Sequence, residues 1–481
     1  MKTIFPQFLL LLVMLASPPV TLEDLHPPPS GPKLRIAFVH PDLGIGGAER
    51  LIVDSATGLQ KSGHKVVVFT SHHDPAHCFE ETRDGTLDVR VRGDFLPRSI
   101  SGKALILCAI LRSIYLAISF TFLEAHRFDL LFVDQLSISI PILRFTGSKI
   151  LFYCHFPDKL LTKRESLLKR IYRIPFDWLE EVTTRMADCT VVNSNFTRQI
   201  YRESFPSIKT IPKVLYPAIR TEAYNNDYEG KANFRKHLKD KTILVSINRF
   251  ERKKNIALAI QSFSTLQQST PDDFPNLVLV VAGGYDPRVP ENVEHLDELT
   301  ALASSIGLRT ARVRKSLEED AVSRAQVIFV PSFDETTRAF LLAEAAALIY
   351  TPTNEHFGIV PVEAMYARLP VVATNTGGPL ESVLNGVTGY LCEPEPGAFG
   401  EALTKLVKGG MDLKTMMGEA GRGRVEAKFT LEAYVKQLES ILEEMFFSFN
   451  WDAIVVYVVF VTTAFFILMG AAFALTWLVG W

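Results

Sequence analysis

Short runs of apolar, largely β-branched residues recur along the chain, each divided from the next by a stretch of helical periodicity. In the first half they are LRIAFVH (34–40), KVVVFTS (65–71), FDLLFVD (128–134), KILFYCH (149–155) and CTVVNS (189–194). A second series follows: TILVSINRF (242–250), LVLVVAGG (277–284), RAQVIFVPS (324–332), AALIYTP (346–352), PVVATN (370–375) and GYLCEP (389–394). Continuous rather than alternating hydrophobicity means strands covered on both faces. The pattern therefore predicts an α/β chain with two doubly wound, parallel-sheet domains in tandem. Such domains take their ligands in a crevice outside the carboxyl ends of the strands. The polar, charged stretch 220–241 interrupts the rhythm and reads as a linker with a short helix. Residues 426–448 predict a long final helix.

Both ends of the chain are apolar. From Ile454 to Trp481 there are 28 residues without a charge, more than the roughly 20 a bilayer core requires. This predicts a C-terminal membrane anchor, with Gly470 leaving room for a hairpin instead of a single span. The N-terminal QFLLLLVMLA after Lys2 has an apolar core of about ten residues, short for a span. It fits a signal peptide, a signal anchor or a peripheral apolar segment equally. The stretch 104–123 carries one charge, Arg112, in twenty residues. Hydropathy alone would make it transmembrane, yet its place between two strands makes it a crossover helix whose surplus apolar surface can dock on a membrane. The organisation expected is an apolar segment and spacer (1–32), a first Rossmann-like domain (33–219), a linker (220–241), a second Rossmann-like domain (242–425), a final helix (426–451) and the anchor (452–481).

Length and charge agree with this plan. A chain of 481 residues suits two or three domains, and 51 basic against 53 acidic residues give no reason to expect a nucleic-acid partner. Five scattered cysteines offer neither a disulfide framework nor a zinc site, which suits a reducing compartment. The basic segment 158–175, interleaved with Leu160, Leu161, Leu167, Leu168 and Ile171, is either an amphipathic helix for anionic lipid or an acceptor diphosphate, or a solvated helix with an ordinary core face.

Candidate chemistry lies at strand ends. In GIGGAER (44–50), Gly46 and Gly47 would let backbone amides approach a phosphate or sugar oxygen at a helix N-terminus. The same sequence also suits an ordinary tight turn. Arg249 ends the strand TILVSINRF and Lys254 follows at a helix start. Two cations converging there would suit a diphosphate. In NEHFGIVPVEAM (354–365), Glu355 lies in the loop leaving a strand, while Pro361 starts a helix that places Glu363 in its first turn. Amides of Phe357, Gly358 and Ile359 approach that N-terminus, a favourable place for an anion.

Taken together, these residues resemble the retaining GT-B glycosyltransferases. EHFGIVPVE matches their Glu-x7-Glu motif, and Arg249 and Lys254 have the spacing of their diphosphate pair. GIGGAER resembles their first-domain glycine loop. With YCHFPDKLL (153–161), INRFERKKN (247–255) and YTPTNEHFGIVPVEAM (350–365), residues 34–445 look like the GDP-mannose-dependent α-1,3/α-1,6-mannosyltransferases of dolichol-linked oligosaccharide assembly. The resemblance implies a GT-B fold, two Rossmann-like domains facing a cleft, with the acceptor side first and GDP-mannose held by the second. It implies Glu355 on mannose hydroxyls, Glu363 on the ribose, and Arg249 and Lys254 on the leaving diphosphate. The amides of Phe357, Gly358 and Ile359 would support sugar or diphosphate, with His356 against donor or acceptor. His155 would face the donor sugar, although a capping or core histidine remains its alternative. Glu355, His155 and Lys254 are thus the catalytic candidates. Retention would proceed by front-face substitution, the leaving phosphate oxygen helping to deprotonate the acceptor hydroxyl. No metal-ligand cluster is evident, so no obligatory metal is expected and magnesium stays open. The implied partners are GDP-mannose, a dolichyl-diphosphate-linked oligosaccharide, the endoplasmic reticulum membrane with the domains facing the cytosol, and other early transferases of the pathway. The alternatives are a GT-B enzyme using another nucleotide sugar and a non-catalytic subunit that binds lipid-linked glycan. The sequon Asn195-Phe196-Thr197 would be glycosylated only on a lumenal chain.

Overall fold

The computed structural model describes residues 33–100, 104–161, 167–221, 241–313, 319–447 and 450–478, together with Tyr224 and Leu238. The N-terminal apolar segment, most of the predicted linker and the centre of the basic segment lie outside these. The chain forms two compact units. The first comprises residues up to Asn193, Thr197–Leu215 and Val435–Trp481; the second comprises Ser194–Phe196 and Tyr216–Tyr434.

The first unit is built on seven parallel strands: β1 (Arg35–His40), β2 (Lys65–Thr70), β3 (Asp88–Val91), β4 (Leu130–Asp134), β5 (Lys149–Cys154), β6 (Cys189–Val192) and β7 (Lys213–Val214). Their order is β3-β2-β1-β4-β5-β6-β7. The chain winds outward from β1 in one direction and then from β4 in the other, so the switch point falls between β1 and β4. Helix α1 (Gly47–Lys61) follows β1 directly. The apolar stretch after β3 is the crossover helix α2 (Leu105–Glu124). Cys108, Arg112, Leu116 and Phe120 recur every four residues and are buried, while Leu107, Leu111, Tyr115 and Phe122 on the other side are exposed. Arg112 donates to the Ser71 carbonyl at 3.0 Å and lies 3.8 Å from the Asp94 carboxylate.

Helix α3 (Leu167–Arg185) carries the C-terminal part of the basic segment. Leu160, Leu161, Leu167 and Ile171 are all exposed, whereas Arg173 is buried against Asp158 and Asp177, each at 3.2 Å. The two carboxylates are what make burial of that cation tolerable.

The second sheet contains β8 (Thr242–Ile247), β9 (Leu277–Gly283), β10 (Thr310–Arg312), β11 (Val327–Pro331), β12 (Ala347–Tyr350), β13 (Val371–Thr374) and β14 (Gly389–Cys392). All pairs are again parallel, in the order β10-β11-β9-β8-β12-β13-β14, and the switch point lies between β8 and β12. The main helices are α4 (Ile256–Ser269), α5 (Glu335–Glu344), α6 (Ile359–Tyr366) and α7 (Pro396–Lys428), the last kinked where Gly410 takes φ 58°. Strands β9, β12 and β13 are buried along their whole length, and β8 along all but its first residue. That is why they read as unbroken apolar runs.

The expected single helix over 426–448 is two helices, with α7 ending at Lys428 and α8 (Leu431–Phe447) starting three residues later. The break is held by Ile219, whose N–H donates to Phe429 O at 2.9 Å. The closing helix α9 (Trp451–Leu478) has 28 residues. Its first turns lie on the first unit: Ala453 is buried, Val456, Tyr457 and Phe460 pack against the core, and Asp452 accepts from Arg185 at 2.7 Å. Trp451, Val455, Val458 and Val459 face outward.

Candidate active site

In the second unit the candidate residues gather beyond the carboxyl ends of β8 and β12, at the switch point. After β8 the chain passes Arg249, makes a tight turn over Arg252–Lys254 and enters α4 through Asn255, which takes φ 49°. Thr351, just past β12, donates its hydroxyl to the Lys254 carbonyl at 2.8 Å, tying the two strand ends together. Across this seam the Lys254 ammonium hydrogen-bonds the Glu355 carboxylate. Burial pushes the Glu355 carboxyl upward, but Lys254, with lesser help from His356 and Lys253, outweighs it and holds the group below the usual glutamate range. Tyr350 lies beneath: burial first, and then the adjacent Glu355 charge, drive its phenol well above its ordinary value, so it stays a neutral donor to that carboxylate.

Arg249 is mostly exposed and pairs with Glu251 at 3.0 Å. The two predicted cations therefore engage different carboxylates here. A side chain at Gly283 would meet the Asn248 carbonyl at 1.6 Å, and one at Gly284 would meet the Arg249 stem at 3.1 Å, so AGG at the end of β9 lets the Arg249 turn pack close.

The loop 354–358 is sharply shaped. Asn354 takes φ 53° and Gly358 φ 80°, a left-handed residue that N-caps α6. The NTGG turn after β13 clasps it. The Gly378 N–H donates to Glu355 O at 2.8 Å, and a Cβ at Gly378 would lie 2.1 Å from Phe357 O. His356 offers its carbonyl to the Ser194 hydroxyl at 2.5 Å. Glu363 is the fifth residue of α6, not in its first turn as expected, because the helix starts at Ile359. It is buried and paired with Arg338 of α5 at 2.5 Å. Burial raises the Glu363 carboxyl; Arg338 and a hydrogen bond from Tyr224 pull the other way without cancelling it.

In the first unit a second cluster sits at the β1/β4 switch point. His40 ends β1, Asp134 ends β4 and His155 follows β5. Asp134 Oδ1 lies 2.7 Å from His40 Nδ1 and Asp134 Oδ2 3.1 Å from His155 Nε2. Gly46 N-caps α1, and a side chain at Gly47 would meet nothing within 4 Å, so the space beside that helix start is open.

Sequence reasoning passed over Arg338, Tyr224, Tyr350, Asp134 and His40. Arg338 and Tyr224 come from a helix and a linker that carry no motif, while Tyr350 ends β12 at the first position of the stretch 350–365. His40 and Asp134 did end two predicted strands, and a polar residue at that place in a doubly wound sheet was the available signal.

Residues 45–223 match the glycosyltransferase family 4 domain and residues 229–424 the glycosyl transferases group 1 domain. Among solved structures, sucrose-phosphate synthase from Thermosynechococcus elongatus superposes with a TM-score of 0.63 at 19% identity, covering 86% of this chain and 99% of that one. Anabaena Alr3699/HepE in complex with UDP and glucose gives 0.61 at 17% identity, over 85% and 100%. At such identities the likeness shows the fold, which is GT-B. Curated relatives are much nearer in sequence. Alpha-1,3/1,6-mannosyltransferase ALG2 of Rhizomucor pusillus is 52% identical over 86% of this chain and 92% of its own length. Its human counterpart is 46% identical over 85% and 95%. With its motifs gathered at the two switch points and this identity along nearly the whole length, the chain belongs to the α-1,3/1,6-mannosyltransferase family of GT-B glycosyltransferases.

Proposed function

We propose that the protein transfers mannose from GDP-mannose to dolichyl-diphosphate-linked chitobiose carrying one mannose, adding an α-1,3 and then an α-1,6 residue with retention. The observation that carries this reading is the Lys254–Glu355 pair at the β8/β12 switch point of a chain in this family. In the transfer, negative charge builds on the leaving diphosphate as the glycosidic bond breaks. Lys254 and Arg249 are the cations to meet it, the main electrostatic demand of the step. Glu355, kept ionised, accepts from mannose hydroxyls, and Glu363 accepts from the ribose. The amides of Phe357, Gly358 and Ile359 offer donors at the start of α6, with His356 beside them; in the first unit the amides of Gly46 and Gly47 offer donors to a sugar or phosphate oxygen. His155 serves the donor sugar. The leaving phosphate oxygen takes the acceptor proton, so no second carboxylate and no obligatory metal are required; turnover unchanged by EDTA is the expected result.

The chain works at the endoplasmic reticulum membrane with both units in the cytosol, held there by the exposed face of α2 and the apolar α9. Asn195 supports this side of the membrane. Its side-chain nitrogen donates to Glu381 and to the Tyr216 hydroxyl, both at 2.8 Å, and Thr197 of the same sequon is fully buried. A glycan on that nitrogen would replace one of its two N–H groups, so at least one of these bonds would be lost. An endoglycosidase mobility shift that disappears in Asn195→Gln would overturn the cytosolic placement. For the activity, the full-length protein in membranes is given GDP-mannose and a phytanyl-linked acceptor. Two successive mannose additions, inhibited by GDP and not by UDP, are expected. Acceptor binding without GDP-mannose consumption would instead indicate a non-catalytic subunit, and inhibition by UDP another donor.

A further inference from the structure

The cluster at the first switch point is more tightly specified than a lone histidine facing a sugar requires. Both ring nitrogens of His40 face oxygens that cannot donate: Nδ1 lies 2.7 Å from Asp134 Oδ1 and Nε2 2.9 Å from the Asp42 carbonyl. Satisfying both requires a proton on each nitrogen, which makes His40 an imidazolium, with Glu49 Oε1 4.0 Å from Nε2. The ring is wholly buried, and so is Asp134. The pair is therefore a dry ion pair with matched hydrogen bonds, the one arrangement in which buried charges are tolerated. Burial works against the cation, and the Asp134 carboxylate with its hydrogen bond outweighs it, raising His40 above the usual histidine value.

The other oxygen of Asp134 has one remaining task. It faces His155 Nε2 at 3.1 Å, and an ionised carboxylate that already accepts a hydrogen bond from His40 can only accept there too. His155 must then carry its proton on Nε2, and its ring is further seated against Tyr153 with centroids 4.7 Å apart. The backbone is committed as well: the His155 carbonyl accepts from Asn193 at 3.0 Å, and Gln135, directly after Asp134, is held at φ 60°.

We propose that Asp134 and His40 are positioning residues for mannosyl transfer: the ion pair they form locks His155 in the Nε2–H tautomer and leaves Nδ1 as its acceptor toward a sugar hydroxyl. A histidine free to take either tautomer would present a donor or an acceptor at random; here the sheet decides. This rests on the reading of His155 as a residue of the transfer site.

The experiment is a double-mutant cycle on the full-length enzyme with GDP-mannose and the phytanyl-linked acceptor, comparing wild type, Asp134→Asn, His155→Ala and the double variant. Asp134→Asn is expected to lower kcat about 10- to 100-fold, the usual cost of removing the partner that orients a functional histidine. KM for GDP-mannose should change far less. In the His155→Ala background the same substitution should cost almost nothing further, because Asp134 acts through His155. Full multiplicative loss in the double variant would make Asp134 an ordinary structural residue and overturn the proposal. If His155→Ala alone keeps wild-type turnover, the reading of His155 fails and the proposal with it; if only the coupling is missing, that reading stands and the positioning role alone falls. Histidine-15N NMR of the wild-type protein reads the tautomers directly. It should show the signal lost in His155→Ala as the Nε2–H form and a doubly protonated His40. An Nδ1–H form at His155 would refute the lock.

Discussion

Replacing Glu355 by Gln tests the centre of the second site with almost no change of shape. In the structure Glu355 and Lys254 are about one-fifth and one-seventh exposed at their side chains, so their contact is screened much less than a surface ion pair. Two unit charges about 3 Å apart attract by roughly 5 kcal/mol at an effective dielectric of 20. Desolvation cancels much of that, and removing one partner leaves Lys254 half-sheltered with a neutral amide for company. A stability loss of about 1–3 kcal/mol follows. A multiple-turnover assay should show a larger effect than the melt. A hydrogen bond to an ionised acceptor is worth about 1.5–3 kcal/mol, and if mannose hydroxyls use it in the transition state kcat falls by roughly 10- to 150-fold. GDP affinity should not fall, since the amide removes a negative charge from beside the diphosphate cation. Turnover of Glu355→Gln within about threefold of wild type, in protein that melts normally, would refute the assignment of Glu355 to the sugar.

Three other outcomes are expected. Arg338→Ala leaves Glu363 buried without its cation, so by isothermal titration GDP should bind at least about tenfold more weakly, and the unfolding midpoint should fall; unchanged binding would remove Glu363 from the nucleotide site. Gly378→Ala drives a methyl group into the Phe357 carbonyl and should cost about 3 kcal/mol or abolish activity, read by thermal melt and assay, whereas Gly47→Ala should fold normally. Glu180 receives the Asp158 and Lys159 amides, yet burial, the largest influence, raises it from 4.5 to about 7. Its contribution to stability is therefore complete below pH 4.5 and fades as pH rises through about 7, with a ceiling of about 3 kcal/mol. The stability of wild type relative to Glu180→Gln should shrink over that interval in pH-dependent melts.

The unbroken apolar runs were enough to locate the central strands, because a strand buried on both faces cannot afford polar positions. Three of the four edge strands escaped for the converse reason. Asp88–Val91, Lys213–Val214 and Thr310–Arg312 are short and only partly buried, so nothing in their composition distinguishes them from loop. The final helix was expected as one because its hydrophobic rhythm runs on through Phe429. The break there depends on Ile219, some two hundred residues earlier, and no local pattern encodes such a partner.

For the site, the chain order alone placed Glu355 in a loop, Glu363 in a helix and Lys254 at a helix start, since strand ends, proline and glycine are local signals. What the tertiary structure decided is which charge meets which. Lys254 is bonded to Glu355 and not set beside Arg249, Glu363 is held by Arg338 and Tyr224, and His155 is tied through Asp134 to His40. Parallel sheets bring strand ends together across long separations in sequence, and a buried charge must find its counter-charge wherever the winding places one. Local sequence therefore specifies the residues that can do chemistry. The sheet order sets their partners, and with them their protonation.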